Sequence, residues 1–108
     1  MPASDSQTTR VLTIGNDVSQ LSSRANLLIH AGYNVDLEVN VERALRRLRV
    51  HPYHLVILSG KLSHDEQIGI RAQLRQVRSD QRVLLLSERE DGADGLLESV
   101  ASSLRHNR

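Results

Sequence analysis

The chain has 108 residues, of which 39% are hydrophobic and 2% aromatic, and it carries a formal net charge of +1. A chain of this length folds as about one small domain with one modest core. The sequence contains no cysteine, which excludes disulfides, thiolate metal sites and cysteine nucleophiles. The scarcity of aromatic side chains argues against nucleic-acid recognition by base stacking. No apolar run approaches the length of a membrane span and no signal-peptide pattern is seen, so we expect a cytoplasmic protein.

Hydrophobic patterns alternate between strand and helix along the chain. Residues 1–9 are small and polar and are predicted to form a disordered tail before a single domain at 10–108. Gly32 and Pro52 end the first two helices, and Asn40 is a candidate N-cap of the second. The predicted strands are 11–14, 33–40, 53–58 and 82–87. Apolar residues at helical spacing predict four helices, and a polar loop at 59–65 precedes the third. These residues are Leu21, Ala25, Leu28 and Ile29 in the first helix, Val41, Ala44, Leu45 and Leu48 in the second, Ile70, Leu74 and Val77 in the third, and a stripe over 93–105 in the fourth.

The run at 53–58 has no polar alternation, which is typical of a strand buried on both faces of a parallel sheet. Strands that alternate with helices at this spacing are joined by right-handed crossovers, so the pattern predicts a parallel sheet covered on both faces. Ligands of such sheets bind at the carboxyl ends of the strands. Ser59 follows the buried run and is therefore the first candidate for a functional residue.

The order of elements over residues 10–105 resembles the receiver domain of bacterial response regulators. The matching stretches are VLTIGNDVSQL at 11–21, AGYNV at 31–35, ERALRRL at 42–48, YHLVILS at 53–59 and RVLLLS at 82–87. The resemblance implies an α/β, flavodoxin-like, doubly wound parallel sheet. Only residues 88–108 follow the last predicted strand, which is about one βα unit too few. We therefore expect four strands in the order 2-1-3-4, with four helices.

The resemblance also implies what the strand ends would do. Receiver domains transfer a phosphoryl group to an aspartate after the third strand, and the matching position here is Ser59. A serine hydroxyl forms no acyl phosphate, and no local base is predicted to activate it. The magnesium-binding acidic pair of the family matches Gly15 and Asn16, with Asp17 next to them, and hard cations need carboxylate oxygens.

Two further positions complete the comparison with the family. The hydroxyl switch residue matches Ser87, whereas the family's fifth-strand lysine has no counterpart, because the single lysine, Lys61, follows the third strand. Ser63 stands where the family has a proline. The resemblance thus implies a degenerate receiver with no metal, no cofactor and no magnesium-dependent phosphorylation.

The missing βα unit leaves the fourth strand at or near an edge of the sheet. An apolar edge strand invites pairing with another chain. The partner would be a second copy of this chain or another protein. The candidate interaction edge consists of Val83, Leu84, Leu85 and Leu86.

Other sites have a sharp interpretation and a simpler one. Ser59, His64 and Asp65 contain the residue types of a hydrolase, but the glycines of a nucleophile elbow are missing, and the start of a helix explains the acidic residue. The turn at 15–17 could bind an ion, although a turn that leads into an N-cap at Asp17 or Ser19 is the simpler interpretation.

Histidine and arginine carry no strong motif either. The five histidines share no i, i+4 spacing, so no helical metal pair is predicted. Arginines cluster on the second and third helices, where a solvated helix face is the simpler interpretation and a phosphate or an acidic partner the sharper one. These arginines are Arg43, Arg46, Arg47 and Arg49, then Arg71, Arg75 and Arg78.

We therefore expect a protein without enzymatic activity. The favoured hypothesis is a non-phosphorylatable, receiver-like protein-interaction module of bacterial two-component or phosphorelay signal transduction that self-associates as a dimer, with no membrane partner. The alternative is a regulator that binds a ligand or nucleic acid through the strand-end crevice or the arginine-rich helices.

Overall fold

The computed structural model describes residues 9–59, 62–86 and 93–105. These residues form four strands and four helices that alternate along the chain. The elements are β1 (Arg10–Ile14), α1 (Val18–His30), β2 (Asn34–Glu38), α2 (Val41–Val50), β3 (Leu55–Leu58), α3 (His64–Val77), β4 (Val83–Leu85) and α4 (Ala93–Arg105).

The four strands form one parallel sheet in the order β2-β1-β3-β4. Ile14 at the end of β1 is opposite Glu38 of β2 and Leu58 of β3, so three strands end at the same level. Leu58 is in turn opposite Leu85 of β4. The expected α/β fold with strand order 2-1-3-4 is confirmed.

Each face of the sheet packs against two helices. Leu12, Ile14, Val56 and Leu58 point to one face and form a core with α2 and α3. On the other face, Val11, Leu55 and Ile57 form a core with α1 and α4, and Leu86 is part of it. A right-handed crossover to a further strand beside β4 would lie on the α3 face. Since α4 packs on the α1 face, it has the position of a helix that covers this face beside α1, and not that of a crossover helix leading to a further strand.

Local signals in the sequence explain most helix ends. The side chain of Asp17 accepts a hydrogen bond from the amide of Gln20 at 3.1 Å, and Asn40 caps α2 by accepting from the amide of Arg43 at 3.0 Å. Gly32 has a φ of 102°, which favours glycine and ends α1 as predicted.

Helix α3 begins inside the segment that the sequence predicted as a loop at 59–65. Ser63 and Glu66 form a capping box, in which Ser63 Oγ accepts from the Glu66 amide at 3.1 Å and the Glu66 carboxylate accepts from the Ser63 amide at 2.9 Å. The box satisfies two amides that would otherwise lack partners, and so it extends the helix to His64.

Strands are shorter than their apolar runs. Tyr53, predicted as the start of the third strand, precedes it, and its hydroxyl group donates to Asp36 Oδ2 of β2 at 2.6 Å. The predicted tail at 1–9 falls almost wholly outside the described residues. Its last residue, Thr9, accepts a hydrogen bond from the Asn34 amide at 2.9 Å and so continues the edge of the sheet.

Candidate functional site

The carboxyl ends of β1 and β3 lie side by side, as the candidate site requires. Gly15 and Ser59 are the first residues after these strands, and both are buried. The Ser59 amide donates to the Ile14 carbonyl at 3.0 Å, and the Gly15 amide donates to the Glu38 carbonyl at 3.2 Å. Both residues are therefore fixed by backbone hydrogen bonds that continue the sheet.

The two strand ends approach so closely that a side chain at position 15 would be in tight contact with its neighbours. A Cβ atom built on Gly15 would lie 3.0 Å from Ser59 Cβ and 3.2 Å from Leu21 Cδ2. Such distances are too short for a packed interior, so the neighbours would have to move. Packing is thus tight at the position where the resemblance puts the first acidic residue.

The hydroxyl group of Ser59 points into this tightly packed end. It donates to Gln20 Oε1 of α1 at 3.1 Å, and the side chain of Ser59 has no exposed surface. On the α3 side, Gln67 Nε2 donates to the carbonyl of Ser59 at 3.3 Å and to that of Leu62 at 3.2 Å. Ser59 is therefore held by side chains from both neighbouring helices, and its hydroxyl group donates to an amide oxygen.

Asn16 and Asp17 do not form an acidic pocket with these residues. Asn16 is exposed, and the carboxylate of Asp17 is the N-cap of α1. Across residues 9–59, 62–86 and 93–105, no three side chains of histidine, aspartate or glutamate are grouped so that they could hold a metal ion. Ser87 and Lys61 lie outside the described residues.

His64 and Asp65, the other members of the hydrolase interpretation, are exposed in the first turn of α3. Aspartate in a first turn is favoured by the helix dipole, which supports the simpler interpretation. Two histidines make backbone contacts: His30 Nδ1 lies 2.8 Å from the Asn26 carbonyl oxygen, and His54 Nδ1 accepts from the Arg10 amide at 3.0 Å.

Two polar residues that the sequence analysis did not single out lie beneath the crevice. Gln20 and Arg24 are one turn apart on α1 and both face the sheet. Arg24 is 3% exposed, and its Nη1 donates to Thr13 Oγ1 of β1 at 3.1 Å. The signal was present, because position 24 adjoins the apolar stripe of Leu21, Ala25 and Leu28.

The arginines of α2 divide into one that is paired and three that are not. Arg47 Nε donates to Glu38 Oε2 at 2.6 Å, and its Nη1 lies 3.6 Å from Asp36 Oδ2. The hydrogen bond to Glu38 raises the pKa of Arg47, against a smaller lowering by burial. Burial raises the pKa of Tyr53, and its hydrogen bond to Asp36 raises it further.

The other arginines on these helices are exposed. Arg43, Arg46 and Arg49 of α2 and Arg71 and Arg75 of α3 form no ion pair with any described side chain. Arg78, just after α3, donates from Nε to the carbonyl of Leu48 at 2.9 Å and so joins α3 to the end of α2.

The predicted interaction edge is only partly exposed. Leu86 lies beyond the end of β4 and is 1% exposed, and its amide donates to the Leu58 carbonyl at 3.0 Å. It therefore belongs to the core and not to the edge, because it packs against α4. Val83 and Leu84 are half-buried, and Leu85 is 36% exposed.

Solved structures with this arrangement of strands and helices are receiver domains. A CheY-like response regulator receiver domain protein from Methanospirillum hungatei superimposes with a TM-score of 0.77 at 17% identity, covering 91% of this chain and 94% of that one. A response regulator receiver protein from Sinorhizobium medicae gives a TM-score of 0.78 at 11% identity, with coverages of 94% and 98%. The chain has the receiver fold.

A third receiver-fold structure was solved with ligands bound. It is the response regulator protein TrrA of Thermotoga maritima in complex with Mg²⁺ and beryllium fluoride, with a TM-score of 0.74, 23% identity and coverages of 90% and 100%. By sequence alone, no family model matches the chain and no curated protein matches it. In the part of the chain that is described, no helix is long and apolar enough to cross a membrane.

Proposed function

We propose that this chain is a receiver-like protein-interaction module of two-component-type signal transduction that accepts no phosphoryl group and catalyses no reaction. The observation that carries the proposal is the close approach of Gly15 to Ser59, because a side chain at position 15 would require its neighbours to move. In receiver domains the strand ends of this fold carry a phosphoryl-transfer site. In this chain the same strand ends are packed against each other.

The chemistry of the residues points the same way. An aspartyl phosphate needs a carboxylate nucleophile, and Ser59 offers a hydroxyl group that already donates to Gln20. Magnesium needs oxygen ligands at octahedral positions, and the carboxylate of Asp17, next to the end of β1, caps α1. What remains is a rigid scaffold with surfaces for binding.

A protein partner is consistent with the structural neighbours. The response regulator TrrA has also been solved in complex with the histidine kinase ThkA. We extend only the class of partner to this chain, which would bind another protein and pass on no phosphoryl group.

The direct test is to add beryllium fluoride with Mg²⁺, and separately a small phosphodonor, while recording backbone amide NMR spectra. We expect no shift of the amides of Gly15, Asn16 and Ser59 and no covalent adduct by mass spectrometry. The Thermotoga regulator TrrA, treated identically, is the positive control. A stoichiometric adduct that disappears in Ser59→Ala would overturn the proposal.

Self-association is the second part of the proposed function. Strand β4 has β3 on one side, and within the described chain no strand lies on its other side. An open apolar edge is a template for pairing with another strand, and a second copy supplies an identical one. We propose that two copies pair weakly through β4.

A further inference from the structure

The outer side of β4 offers a short row of backbone donors and acceptors. The Arg82 carbonyl accepts from the Val56 amide, and the Leu86 amide donates to the Leu58 carbonyl, both at 3.0 Å. Because successive residues of a strand point their backbone groups to opposite sides, those of Val83 and Leu85 point away from β3. Neither residue has a hydrogen-bond partner on that side within the described residues.

One side of α3 lies beside this row and carries positive charge. Arg71 and Arg75 line a cavity of about 210 Å³ together with Val83. The opposite side of α3 presents Gln73 and Gln76 to a groove shared with α2. The two arginines thus flank the open edge, and neither has an ion-pair partner among the described side chains.

The same side of α3 is apolar at its other end. Ile68 precedes Arg71 by one turn and is 54% exposed. Since α3 runs antiparallel to β4, its first turns lie toward the Leu85 end of the strand, and Leu85 is also exposed. The surface beside the edge is therefore apolar near Leu85 and basic near Val83.

We propose that the β4 edge binds an extended acidic segment of another protein as an added antiparallel strand. The partner's backbone would pair with Val83 and Leu85, which is β-augmentation. Its apolar side chains would contact Ile68 and Leu85, and its following carboxylates would contact Arg71 and Arg75. The inference rests on the proposed function, in which this chain binds another protein, and it adds the chemistry of that partner.

A second copy of the chain fits this edge less well than an acidic strand. In an antiparallel pair of β4 strands, the two α3 helices lie on the same face of the joined sheet, about 10 Å apart. The basic end of each α3 would then lie opposite the apolar end of its counterpart, and the guanidinium groups of Arg71 and Arg75 from both copies would share one seam, where like charges repel. The self-associated form is therefore the weaker occupant, and an acidic strand displaces it.

The test uses a fluorescent synthetic strand of about nine residues with the sequence Thr-Val-Thr-Val-Thr-Glu-Thr-Glu-Thr. Fluorescence anisotropy with the full chain measures its binding. We expect the affinity to fall as salt rises, because carboxylate–guanidinium contacts are screened. Versions with glutamine or lysine in place of glutamate should bind more weakly, in that order.

Matched variants locate the site. Arg71→Gln with Arg75→Gln should weaken binding by about three- to tenfold, as expected for two partly exposed charge pairs. Arg43→Gln with Arg46→Gln removes the same charge from the far side of α2 and should leave binding unchanged. Leu85→Pro removes an outward amide that no described residue uses, so the domain should fold and bind at least about tenfold more weakly.

Equal loss in both arginine pairs, or binding of the lysine strand as tight as that of the glutamate strand, would overturn the inference. If the folded protein binds neither the glutamate strand nor beryllium fluoride, the inference is overturned and the proposed function stands. Adduct formation at Ser59 overturns the proposed function whether or not the strand binds. A glutamate strand that binds while dimers persist would show that the second copy occupies a different surface, which contradicts the proposed pairing of two copies through β4 and leaves the inference standing.

Discussion

Gly15 is the residue that most restricts the chemistry of the strand ends, because the packing around it disfavours any larger side chain. Its φ is not in the left-handed region, so its backbone is not the reason for glycine. The reason is Ser59, whose Cβ would be 3.0 Å from any Cβ at position 15. Glycine and serine at these two ends are therefore a packed pair, and an acidic residue cannot be restored at one without moving the other.

Gly15→Asp should lower the free energy of unfolding by about 1–3 kcal/mol, as overpacking does in a dense interior. Chemical denaturation measures the change. Asn16→Asp introduces the same carboxylate at an exposed neighbour, where substitutions usually change stability by less than about 0.5 kcal/mol. Equal stability of the two variants would show that the crevice has room, and it would remove the main support for the proposed function.

Tyr53 makes a second residue-level prediction, on pH. Burial and the hydrogen bond to Asp36 raise its pKa above the ordinary value of about 10. The folded state therefore holds the phenolic proton more tightly than the unfolded state. The stability from this group is fully present below about pH 10 and is lost as pH rises through the folded pKa.

Alkaline absorbance titration of Tyr33→Phe, in which Tyr53 is the remaining tyrosine, should show this raised pKa. Adding Asp36→Asn should lower it, because the carboxylate that accepts the proton's hydrogen bond is gone. The sequence has a single lysine, so few other groups titrate in this range. A Tyr53 pKa that Asp36→Asn leaves unchanged would contradict the assigned cause.

At the scale of elements, the sequence predicted what depends on neighbours along the chain. Gly32 and Asn40 mark helix ends by their own conformational preferences, and both act as expected. Ser63 and Glu66 form an equally local signal that was readable, and missing it placed the start of α3 too late. Order and type of elements therefore follow from local patterns and from right-handed crossovers.

Contacts between distant parts of the chain were not predictable in the same way. Tyr53 precedes the third strand and bonds to Asp36, which is distant in sequence and lies on another strand. The packing of Gly15 on Ser59 joins residues of β1 and β3, and Gln20 reaches Ser59 from α1. Residue types suggested where the site would be, and only the approach of these backbones shows how tightly its residues pack.

For the whole molecule, the arrangement of helices determines how two copies could meet. Only β2 and β4 lie at edges of the described sheet, and β2 is flanked by the Arg47, Asp36 and Glu38 network. With α4 on the α1 face, the outer side of β4 keeps α3 as its basic neighbour. Self-association and the binding of an acidic strand therefore compete for one surface and respond to salt in opposite directions.

The dimer should accordingly become tighter as salt rises. In an antiparallel pair centred on Leu84, Val83 of each copy is opposite Leu85 of the other, so the outward backbone groups are satisfied mutually. The cost is that Arg71 and Arg75 of both copies come to one seam, where the four guanidinium groups repel each other. Raising sodium chloride from about 0.1 M to about 1 M shortens the Debye length from about 10 Å to about 3 Å and weakens this repulsion.

Sedimentation equilibrium over a range of protein concentrations measures the dimer dissociation constant at each salt concentration. We expect a several-fold tighter dimer at high salt, no dimer for Leu85→Pro, and a tight, salt-independent dimer for Arg71→Gln with Arg75→Gln. The Arg43→Gln and Arg46→Gln pair should behave like the unchanged chain, because those side chains lie away from β4.

A monomer under all conditions would exclude self-association and leave another protein as the partner of the edge. A dimer of undiminished affinity in Leu85→Pro would place the contact elsewhere on the molecule, since that substitution removes one of the two outward amides of β4.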